Sequence, residues 1–304
     1  MNIFIELPTW LGDTIMTTPA IEELVKLYPN TKITFFGSYI STEALKSHPQ
    51  TLHAKVDESK KSKFRLYYLY KTAKKLETFD LAISFRSSFT SKLFLWLLHA
   101  KEKIQYKKNF YSGHQVEKYA KVLQVNPKDL KLYKKPFIYT RPTLGINPGA
   151  TYGSAKRWYP EEFAKVANHF SKEYDIVIFG GPDEVAIANE VEKLIDAQVT
   201  NLAGKTNITE LIEKIAGLDL FVTNDSGPMH IAAAYKVPTV TLFGPTKHNE
   251  TSQWNNPNGF IISHNLECAP CMKRTCPLKT HECMKGIKAN EVIEVLENHL
   301  SLDK

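Results

Sequence analysis

The sequence predicts an α/β protein made of two doubly wound domains, and three observations support this. In the first half of the chain, short apolar runs alternate with helical patterns, as in a parallel sheet with crossover helices. The alternation stops in a Lys- and Pro-rich stretch, Asn126 to Pro142, and then starts again. We therefore expect an N-terminal domain of residues 1–141 and a C-terminal domain of residues 142–304, joined by a linker.

The first domain is expected to begin with a strand at the N-terminus. The residues MNIFIELPTW contain no basic leader and no small-residue cleavage site, so they predict a strand rather than a signal peptide. The predicted elements that follow are a helix from Asp13 to Tyr28, the strand KITFFG, a helix after Ser41, an amphipathic stretch from Lys63 to Glu77, the strand FDLAISF, a helix through LFLWLL and a helix over HQVEKYAKVLQ.

The second domain repeats the alternation. Its predicted elements are the strand TLGINPG, a helix from Pro160 to Lys172, the strand YDIVIFGG, helices from Asp183 to Ala197 and from Ile208 to Ala216, the strand DLFVTND, a helix from Pro228 to Tyr235, the strand PTVTLFG and a closing helix from Ala289 to Leu300. Open parallel sheets bind ligands outside the carboxyl ends of their strands. We expect the two domains to face each other across a cleft that holds the site.

Composition excludes a membrane-spanning protein and favours the cytoplasm. With 43% hydrophobic residues the chain can build real cores. Its longest apolar run, LFLWLL, is about a third of the roughly 20 residues that span a bilayer. Without a signal peptide or a span, we expect a cytoplasmic protein.

Charge is distributed unevenly along the chain. Residues 1–141 hold 24 Lys and Arg against 12 Asp and Glu, a net charge of +12, whereas the remainder is net −5. A basic half indicates an acidic partner, which could be a nucleic acid, an anionic membrane surface or a phosphorylated substrate. The alternative is a solvated lysine-rich surface without a partner.

The segment FVTNDSGPMHIAAA predicts a strand, a tight turn and a helix. Asp225 ends the strand, Ser226 and Gly227 make the turn, and Pro228 suits the first turn of the helix. Glycine lets a ligand approach the backbone and a helix N-terminus favours an anion, so a phosphate or diphosphate fits this turn. His230 either contacts that ligand or packs inside, and the whole turn could also be purely structural.

A second candidate anion site is the segment INPGATYGSAKRWYP, in which a strand leads into a Gly-rich loop with Lys156 and Arg157. Flexible backbone and fixed cations suit a phosphate leaving group. The loop lacks the spacing of a P-loop. The later GGPDE lacks the three spaced glycines of a dinucleotide-binding turn, so an NAD enzyme is not expected.

Asp13 follows a glycine in the turn between the first strand and the first helix. A carboxylate there can simply complement the helix dipole and cap the first turn. It could instead act as a general base that takes a proton from an acceptor hydroxyl during sugar transfer.

All four cysteines lie near the C-terminus in CAPCMKRTCPLKTHECM. Clustered cysteines in a cytoplasmic protein suggest a metal rather than disulfides, but the spacing is not a clean pair of C-x-x-C units. A structural zinc site and a reduced or redox-labile loop both remain open. The residues concerned are Cys268, Cys271, Cys276 and Cys283.

Several segments, in this order, resemble the ADP-heptose:lipopolysaccharide heptosyltransferases, glycosyltransferase family nine, and most closely the heptosyltransferase II branch. They are PTWLGDTIMTTPAIEEL, RSSFTSKLFLWLLHAKEKIQY, HQVEKYAKVL, INPGATYGSAKRWYPEEF, VIFGGPDE, NLAGKTNITEL, VTNDSGPMHIAAA, TVTLFGPT and the closing CAPC...CP...CM. The resemblance spans nearly the whole chain. It implies a GT-B fold of two Rossmann-like domains, with the lipid-linked acceptor on the N-terminal one and ADP-heptose on the C-terminal one.

The resemblance also implies roles for residues. Asp13 would activate the 3-hydroxyl of the first heptose on the Kdo-lipid A core, while Lys156 and the Gly227 amide stabilise the departing ADP, with inversion of the anomeric centre. Contacts with the donor would come from Thr9, Gly12, Gly149, Asp225, Ser226, Gly227, Pro228 and His230. Family members need no metal for transfer, which agrees with the absence of an Asp-x-Asp pair.

The resemblance gives the basic half a partner, because the acceptor carries phosphates and Kdo carboxylates and lies in an anionic membrane. Arg86, Ser88 and Lys92 are the candidate acceptor contacts, although the sequence also allows them to be surface residues. We expect the protein to be peripheral on the cytoplasmic face of the inner membrane.

Three alternatives remain. The chain could be heptosyltransferase I or add a later heptose, because donor motifs would be shared. It could be a non-catalytic nucleotide-sugar or nucleic-acid binding protein, although no nucleic-acid-binding motif is present and nucleic acid is not an expected partner. It could also be a nucleotide-sugar epimerase of similar fold, which needs no acceptor.

Overall fold

A computed structural model describes residues 1–302 of the chain, which divide into two compact units. The first unit comprises Met1–Tyr133 and the second begins at Lys134. The division falls inside the stretch Asn126 to Pro142 that the sequence suggests as a linker.

The first unit is built on a parallel sheet whose central strand is the N-terminal one. Its strands are β1 (Asn2–Glu6), β2 (Lys32–Gly37), β3 (Thr51–Val56), β4 (Phe79–Ser84) and β5 (Ala100–Gln105). They are arranged in the order β3, β2, β1, β4, β5, and all pairs are parallel. Sheets of this kind are covered by helices on both faces, so β1 is an almost continuous apolar run and is buried from Ile3 onward.

Helices connect these strands, as the alternation in the sequence predicts. They are α1 (Leu11–Met16), α2 (Thr18–Leu27), α3 (Tyr39–Leu45), α4 (Arg65–Lys75), α5 (Phe89–Leu97) and α6 (Gln115–Val122). Helices α4 and α5 bury Leu69, Ala73, Phe94 and Leu95 in one core cluster with sheet residues that include Phe4. They therefore cover the same face of the sheet.

The single helix predicted from Asp13 to Tyr28 is wrong, because the chain breaks at Thr17 into α1 and α2. Pro19 stands in the first turn of α2, where its missing N–H costs nothing, whereas inside a continuous helix it would remove a hydrogen bond. The hydroxyls of Thr17 and Thr18 donate to backbone carbonyls three residues earlier, at 2.6 and 2.7 Å. These local bonds compete with a regular helix.

The second unit contains a larger parallel sheet. Its strands are β6 (Thr143–Asn147), β7 (Asp175–Ile178), β8 (Val199–Asn201), β9 (Leu220–Asn224), β10 (Thr239–Leu242) and β11 (Gly259–Ile262). They lie in the order β11, β10, β9, β6, β7, β8. The order reverses between β6 and β9, and ligands of doubly wound sheets bind beside that switch point.

The helices of the second unit are α7 (Pro160–Phe170), α8 (Val185–Lys193), α9 (Ile208–Ala216), α10 (Gly227–Ala234), α11 (His248–Thr251), α12 (Glu282–Lys285) and α13 (Ala289–Leu302). Helix α9 has the predicted bounds because a capping box fixes its start: Asn207 Oδ1 accepts from Glu210 N at 3.0 Å, and the Glu210 carboxylate accepts from Asn207 N at 2.9 Å. The helix predicted from Asp183 to Ala197 is instead a 3₁₀ turn, Pro182–Glu184, followed by the shorter α8.

Four strands are not predicted by the sequence pattern, and all of them lie at the edges of the sheets. They are β3, β5, β8 and β11. An edge strand is less covered, so it needs no apolar run: β3 reads TLHAKV and β5 reads AKEKIQ, with mostly exposed side chains. Their pattern therefore lacks the signal by which the inner strands were recognised.

Residues on either side of the division between the units are hydrogen-bonded to their own unit. In the first unit, Lys131 N donates to Thr18 Oγ1 at 3.0 Å. In the second unit, Lys134 N donates to Tyr235 Oη at 3.1 Å. The chain is therefore bonded to each unit within a few residues of the division between them.

Helix length is limited throughout the described chain. The 14-residue α13 is far shorter than the roughly 20 residues needed to span a bilayer. Among residues 1–302, every helix is too short or too polar to reach across a membrane.

Candidate functional site

The turn between β1 and α1 carries three of the predicted site residues, Thr9, Gly12 and Asp13. Asp13 lies in the first turn of α1 and is half-buried, where the positive end of the helix favours its carboxylate. Burial, and then the nearby charge of Asp13, raise the pKa of the Tyr119 hydroxyl well above its ordinary value. Asp13 is therefore positioned beyond the carboxyl end of the central strand, close to a phenol that stays protonated.

Side chains from neighbouring elements fix the backbone of this turn. The carbonyl of Pro8 accepts a hydrogen bond from Ser41 Oγ at 2.5 Å. The carbonyl of Leu7 accepts one from Arg86 Nε at 2.6 Å. Each bond contributes on the order of 1 kcal/mol, and together they hold the segment that leads into α1.

Arg86 is the centre of a mostly buried cluster of charges. Its Nη1 lies 3.4 Å from the Glu6 carboxylate and 3.3 Å from that of Asp57. The hydroxyls of Ser84 and Ser91 also donate to Glu6, at 2.5 and 2.9 Å. Burial raises the pKa of Glu6, and the Arg86 guanidinium and the two hydroxyls partly offset that rise. Arg86 thus ties three strand ends together, and its predicted contact with an acceptor stays a prediction.

Ser88 and Lys92, the other predicted acceptor contacts, lie just before α5 and in its first turn. Ser88 caps this helix: its Oγ accepts from Ser91 N at 3.1 Å and donates to Ser91 Oγ at 2.9 Å. Lys92 is exposed one turn later. The structure gives Ser88 a local function in starting α5, and Lys92 remains open to solvent.

In the second unit the structure brings together two predicted site residues that are 69 positions apart. Lys156 Nζ lies 2.5 Å from Asp225 Oδ2, and both side chains are largely buried. Thr246 Oγ1 donates to the same carboxylate oxygen at 2.6 Å. Lys156 Nζ also lies 4.7 Å from the centre of the Tyr152 ring. A cation is therefore held beside the end of β9 by a carboxylate and an aromatic face.

Ser226 follows Asp225 and contacts the end of the neighbouring strand β6. The Asn147 side-chain amide donates to Ser226 Oγ at 3.3 Å. Asn147 is almost completely buried, and its Oδ1 has no hydrogen-bond partner within the described structure. A buried, unpaired acceptor is costly unless a ligand or water completes it, so Asn147 joins the candidate site.

Helix α10 begins at Gly227, directly after this turn. Its first residues are Gly227 and Pro228, and Ser226 at the N-cap makes no side-chain capping bond. The first backbone N–H groups of a helix have no acceptor within it, so this end offers donors and a positive dipole to an anion. His230, one turn inside, is buried.

Gly149 has a steric reason to be glycine. A Cβ at this position would lie 2.2 Å from the Glu184 carboxyl carbon. Glu184 in turn accepts from Gly181 N at 2.8 Å and from Thr151 Oγ1 at 3.3 Å. Close packing of the Glu184 carboxylate explains why residue 149 is a glycine. The predicted contact of Gly149 with the sugar-nucleotide donor stays a prediction.

The four cysteines line one small cavity of about 20 Å³ together with His281. All of them are free thiols. Among the described residues, no set of three or more His, Cys, Asp or Glu side chains is arranged to hold a metal ion. A structural zinc at these cysteines therefore stays a prediction.

The pKa values of two thiols in this cluster are shifted in opposite directions. Cys276 accepts hydrogen bonds from backbone N–H groups, first that of His281, which lower its pKa. Burial, and then the other three thiols, raise the pKa of Cys283 to about 11. Cys276 is the thiol best suited to be a thiolate.

Within each unit, the structure brings predicted residues together at the carboxyl ends of the strands. In the first unit these are the residues of the β1–α1 turn, and in the second they are Lys156, Asp225 and Ser226. Four polar residues that complete these groups are not predicted from the sequence, namely Glu6, Asn147, Glu184 and Thr246. A signal existed for two of them, because Asn147 ends a strand before Pro-Gly and Thr246 closes the segment TVTLFGPT.

A model of one protein family matches residues 113–282, more than half of the chain. That family is glycosyltransferase family 9 (heptosyltransferase).

Relatives of known name agree with this match. The chain is 43% identical to lipooligosaccharide heptosyltransferase 2 of Campylobacter jejuni serotype O:2, over 99% of this chain and 98% of the relative. It is 29% identical to lipooligosaccharide heptosyltransferase 2 of Haemophilus influenzae, over 83% and 85% of the two chains.

A solved structure shows the same fold. The chain resembles E. coli ADP-heptose LPS heptosyltransferase II with a TM-score of 0.80 and 22% identity, covering 100% of this chain and 99% of that one. The fold expected from the sequence, GT-B with two doubly wound parallel sheets, is confirmed.

Proposed function

The chain belongs to glycosyltransferase family 9, the heptosyltransferase family, and we propose that it transfers L-glycero-D-manno-heptose from ADP-heptose to the first heptose of the lipopolysaccharide or lipooligosaccharide inner core. This is the reaction of a heptosyltransferase II. The observation that carries the proposal is 43% identity, over 99% of the chain, to a relative named lipooligosaccharide heptosyltransferase 2.

Asp13 is the proposed general base. Its carboxylate takes the proton from the 3-hydroxyl of the acceptor heptose as that oxygen bonds to the anomeric carbon of the donor. The bond from that carbon to the ADP phosphate oxygen breaks at the same time, so attack from the opposite face inverts the centre. The bonds to the Leu7 and Pro8 carbonyls support this proposal, since they hold the turn that carries Asp13.

The second unit is the proposed donor site. The departing ADP carries the negative charge that develops in the reaction, and Lys156 and the first N–H groups of α10 supply the compensating positive field. Asp225 and Tyr152 keep the Lys156 ammonium in place before the donor arrives. The proposal includes donor contacts from Gly149 and His230 of this unit and from Thr9 and Gly12 of the first unit. It includes no metal or other cofactor in the transfer step.

The first unit is the proposed acceptor site. The acceptor, a Kdo-lipid A core that carries heptose, brings phosphates and carboxylates to a chain whose first 141 residues have a net charge of +12. Arg86, Ser88 and Lys92 are the proposed contacts. We place the protein on the cytoplasmic face of the inner membrane as a peripheral protein that does not use nucleic acid.

The test is transfer from ADP-heptose to two lipid acceptors, one bearing a single heptose and one bearing none. We expect product from the mono-heptosylated acceptor alone. Product from the bare acceptor would make the chain a heptosyltransferase I. If ADP binds but neither acceptor is used, the proposed acceptor is wrong.

A further inference from the structure

One side of α4 exposes a stripe of apolar and basic side chains. Residues of this helix that point away from the sheet recur at the spacing of a helical face. They are Leu66, Tyr67, Tyr70, Lys71, Lys74 and Lys75. Leu66 and Tyr67 are 54% and 56% exposed, although large side chains of these types are more often buried. The stripe is unusual for a solvated helix because it is both apolar and cationic.

The neighbouring helix α5 continues this surface. Phe89, Lys92 and Trp96 are exposed at intervals of three and four residues, and Phe89 and Trp96 are 77% and 70% exposed. Since α4 and α5 bury their opposite sides in the same core cluster on the same sheet face, their exposed sides share one outer surface. We call these two exposed stripes the α4–α5 face.

The charged side chains of α4 and α5 are all positive. From Ser59 to Leu76 the chain has seven Lys and Arg and no Asp or Glu, and α5 also lacks an acidic residue. Several lysines lie over aromatic rings: Lys71 Nζ is 4.8 Å from the centre of the Tyr67 ring, and Lys74 Nζ is 5.9 Å from that of Tyr70. The face therefore presents ammonium groups directly beside aromatic rings, a combination that suits the boundary between lipid headgroups and acyl chains.

We propose that the α4–α5 face docks the protein on an anionic phospholipid bilayer, with the aromatic and leucine side chains in the interfacial layer and the lysines against lipid phosphates. This inference rests on the proposed function, which places the acceptor in such a membrane. Each lysine near an anionic surface adds about 1 kcal/mol of attraction, and the exposed apolar side chains add burial that lysines alone cannot give.

A nucleic acid is the less suitable partner for the same charges. Proteins that bind single strands stack bases on aromatic side chains along a groove. The α4–α5 face consists instead of the outer sides of two helices, and Leu66 offers no stacking surface. The apolar residues are therefore better explained by lipid.

The first experiment is co-sedimentation of the full chain with vesicles of phosphatidylethanolamine and 30% phosphatidylglycerol, and with neutral phosphatidylcholine vesicles. We expect binding to the anionic vesicles only. The variant Lys71→Glu with Lys74→Glu should bind at least tenfold more weakly. The matched control is Lys172→Glu with Lys193→Glu, which changes the net charge equally at exposed positions of the second unit and should bind like the wild type.

A second experiment tests the apolar part. Leu66→Ser with Tyr67→Ser leaves the charge of the face unchanged, so it should weaken binding to the anionic vesicles at least fivefold at the same salt concentration, whereas Leu194→Ser at an exposed position of the second unit should not. The proposal is overturned if wild type, the lysine pair and its control bind the anionic vesicles equally, or if none of them binds. Tighter binding to a 20-nucleotide DNA than to the vesicles would also overturn it.

Transfer to a water-soluble, delipidated acceptor bearing one heptose separates this inference from the proposed function. The Lys71→Glu/Lys74→Glu variant should keep wild-type turnover on this acceptor and lose it on the same acceptor embedded in vesicles. Loss on both would mean that α4 serves the reaction itself and not docking. If the wild type transfers to neither acceptor yet binds vesicles, the proposed function fails and the docking surface stands.

Discussion

At the scale of single residues, the pairing of Lys156 with Asp225 carries the most chemical information. A lysine in a Gly-rich loop could have pointed freely into solvent, but here its ammonium is bonded to a buried carboxylate. The carboxylate is further bonded to Thr246. Removing only one partner of such a pair strongly destabilises the fold, because the charge of the other partner is left buried and unpaired.

Replacing Lys156 by alanine should therefore lower both activity and stability. We expect turnover to fall by about 10²-fold, ADP binding to weaken, and the free energy of unfolding to fall by about 3 kcal/mol. Steady-state kinetics, ADP titration and urea unfolding measure these. The control Lys165→Ala removes an exposed lysine that pairs with Glu162 at 2.8 Å and should change none of them appreciably. Unchanged turnover and ADP affinity in Lys156→Ala would remove Lys156 from the site.

Asp13 is tested by a change that keeps its shape and removes its charge. Asp13→Asn should reduce turnover by about 10²-fold or more with ADP affinity nearly unchanged, because only proton transfer from the acceptor is lost. The control Glu43→Gln, on the neighbouring helix α3, removes a carboxylate that pairs with Lys46 at 2.5 Å and should keep wild-type turnover. If Asp13→Asn retained wild-type turnover, Asp13 would not be the general base and would only favour the start of α1.

The two thiols with opposite pKa shifts should differ in reactivity. Cys276 forms the thiolate at lower pH than a free cysteine, so iodoacetamide should modify it first near neutral pH. Cys283 is buried and its pKa is about 11, so it should react only at strongly alkaline pH or after unfolding. Mass spectrometry of the labelled peptides against pH measures both. Equal labelling of the two thiols at neutral pH would contradict this order.

At the scale of elements, the Arg86 cluster joins the ends of three strands. Glu6 ends β1, Asp57 follows β3 and Arg86 follows β4. Arg86 also holds the carbonyl of Leu7, which leads into the Asp13 turn. Strand ends that are bonded in this way cannot shift independently. The sheet therefore restrains the position of the β1–α1 turn.

Arg86→Ala should destabilise the protein by about 3 kcal/mol at neutral pH, because two buried carboxylates lose their common cation. Without the guanidinium, the already raised pKa of Glu6 rises further. Between the folded-state pKa and 4.5, the ordinary value for Glu, the folded state then binds a proton at Glu6 that the unfolded state does not bind. The loss in free energy of unfolding caused by Arg86→Ala should therefore become smaller as the pH falls through this range. Urea unfolding across this pH range measures it.

The control for this prediction is Arg141→Ala. Arg141 pairs with Asp175 at 2.8 Å on the exposed surface of the second unit, so its loss should cost less than about 1 kcal/mol without this pH dependence. A deficit in Arg86→Ala that does not change with pH would mean that Glu6 does not take up the proton.

At the scale of the whole molecule, the separation of charge is the main feature. The first 141 residues hold a net charge of +12 and the rest of the chain −5. The positive half can attract an anionic membrane over about a Debye length, roughly 8 Å at physiological salt and 3 Å at 1 M. In the proposed function, this attraction would act before any specific contact with the acceptor forms.

Transfer should therefore depend on salt only when the acceptor is in a membrane. We expect the KM for a vesicle-embedded acceptor to rise by about tenfold or more between low salt and 1 M salt, while the KM for a water-soluble acceptor changes much less. Initial-rate kinetics with both acceptors provide the measurement. An equal salt dependence for both would place the relevant charges in the sugar site and not on the membrane-facing surface.

The sequence by itself determined the fold class and most of the inner strands and turns from which the candidate site is built. The inner strands β1, β2, β4, β6, β7, β9 and β10 are short apolar runs, and α9 has a complete capping box, so local patterns were sufficient for them. The turns around Asp13 and Asp225 were also recognisable, because glycine and proline next to a strand end mark a turn whatever the rest of the chain does.

Only the tertiary structure decided which side chains meet. The edge strands β3, β5, β8 and β11 are defined by the strand they pair with, and their own side chains do not need to be apolar. The pairing of Lys156 with Asp225 spans 69 positions and that of Arg86 with Glu6 spans 80. Periodicity and turn signals act over a few residues, whereas such contacts arise when a parallel sheet brings distant strand ends to one edge.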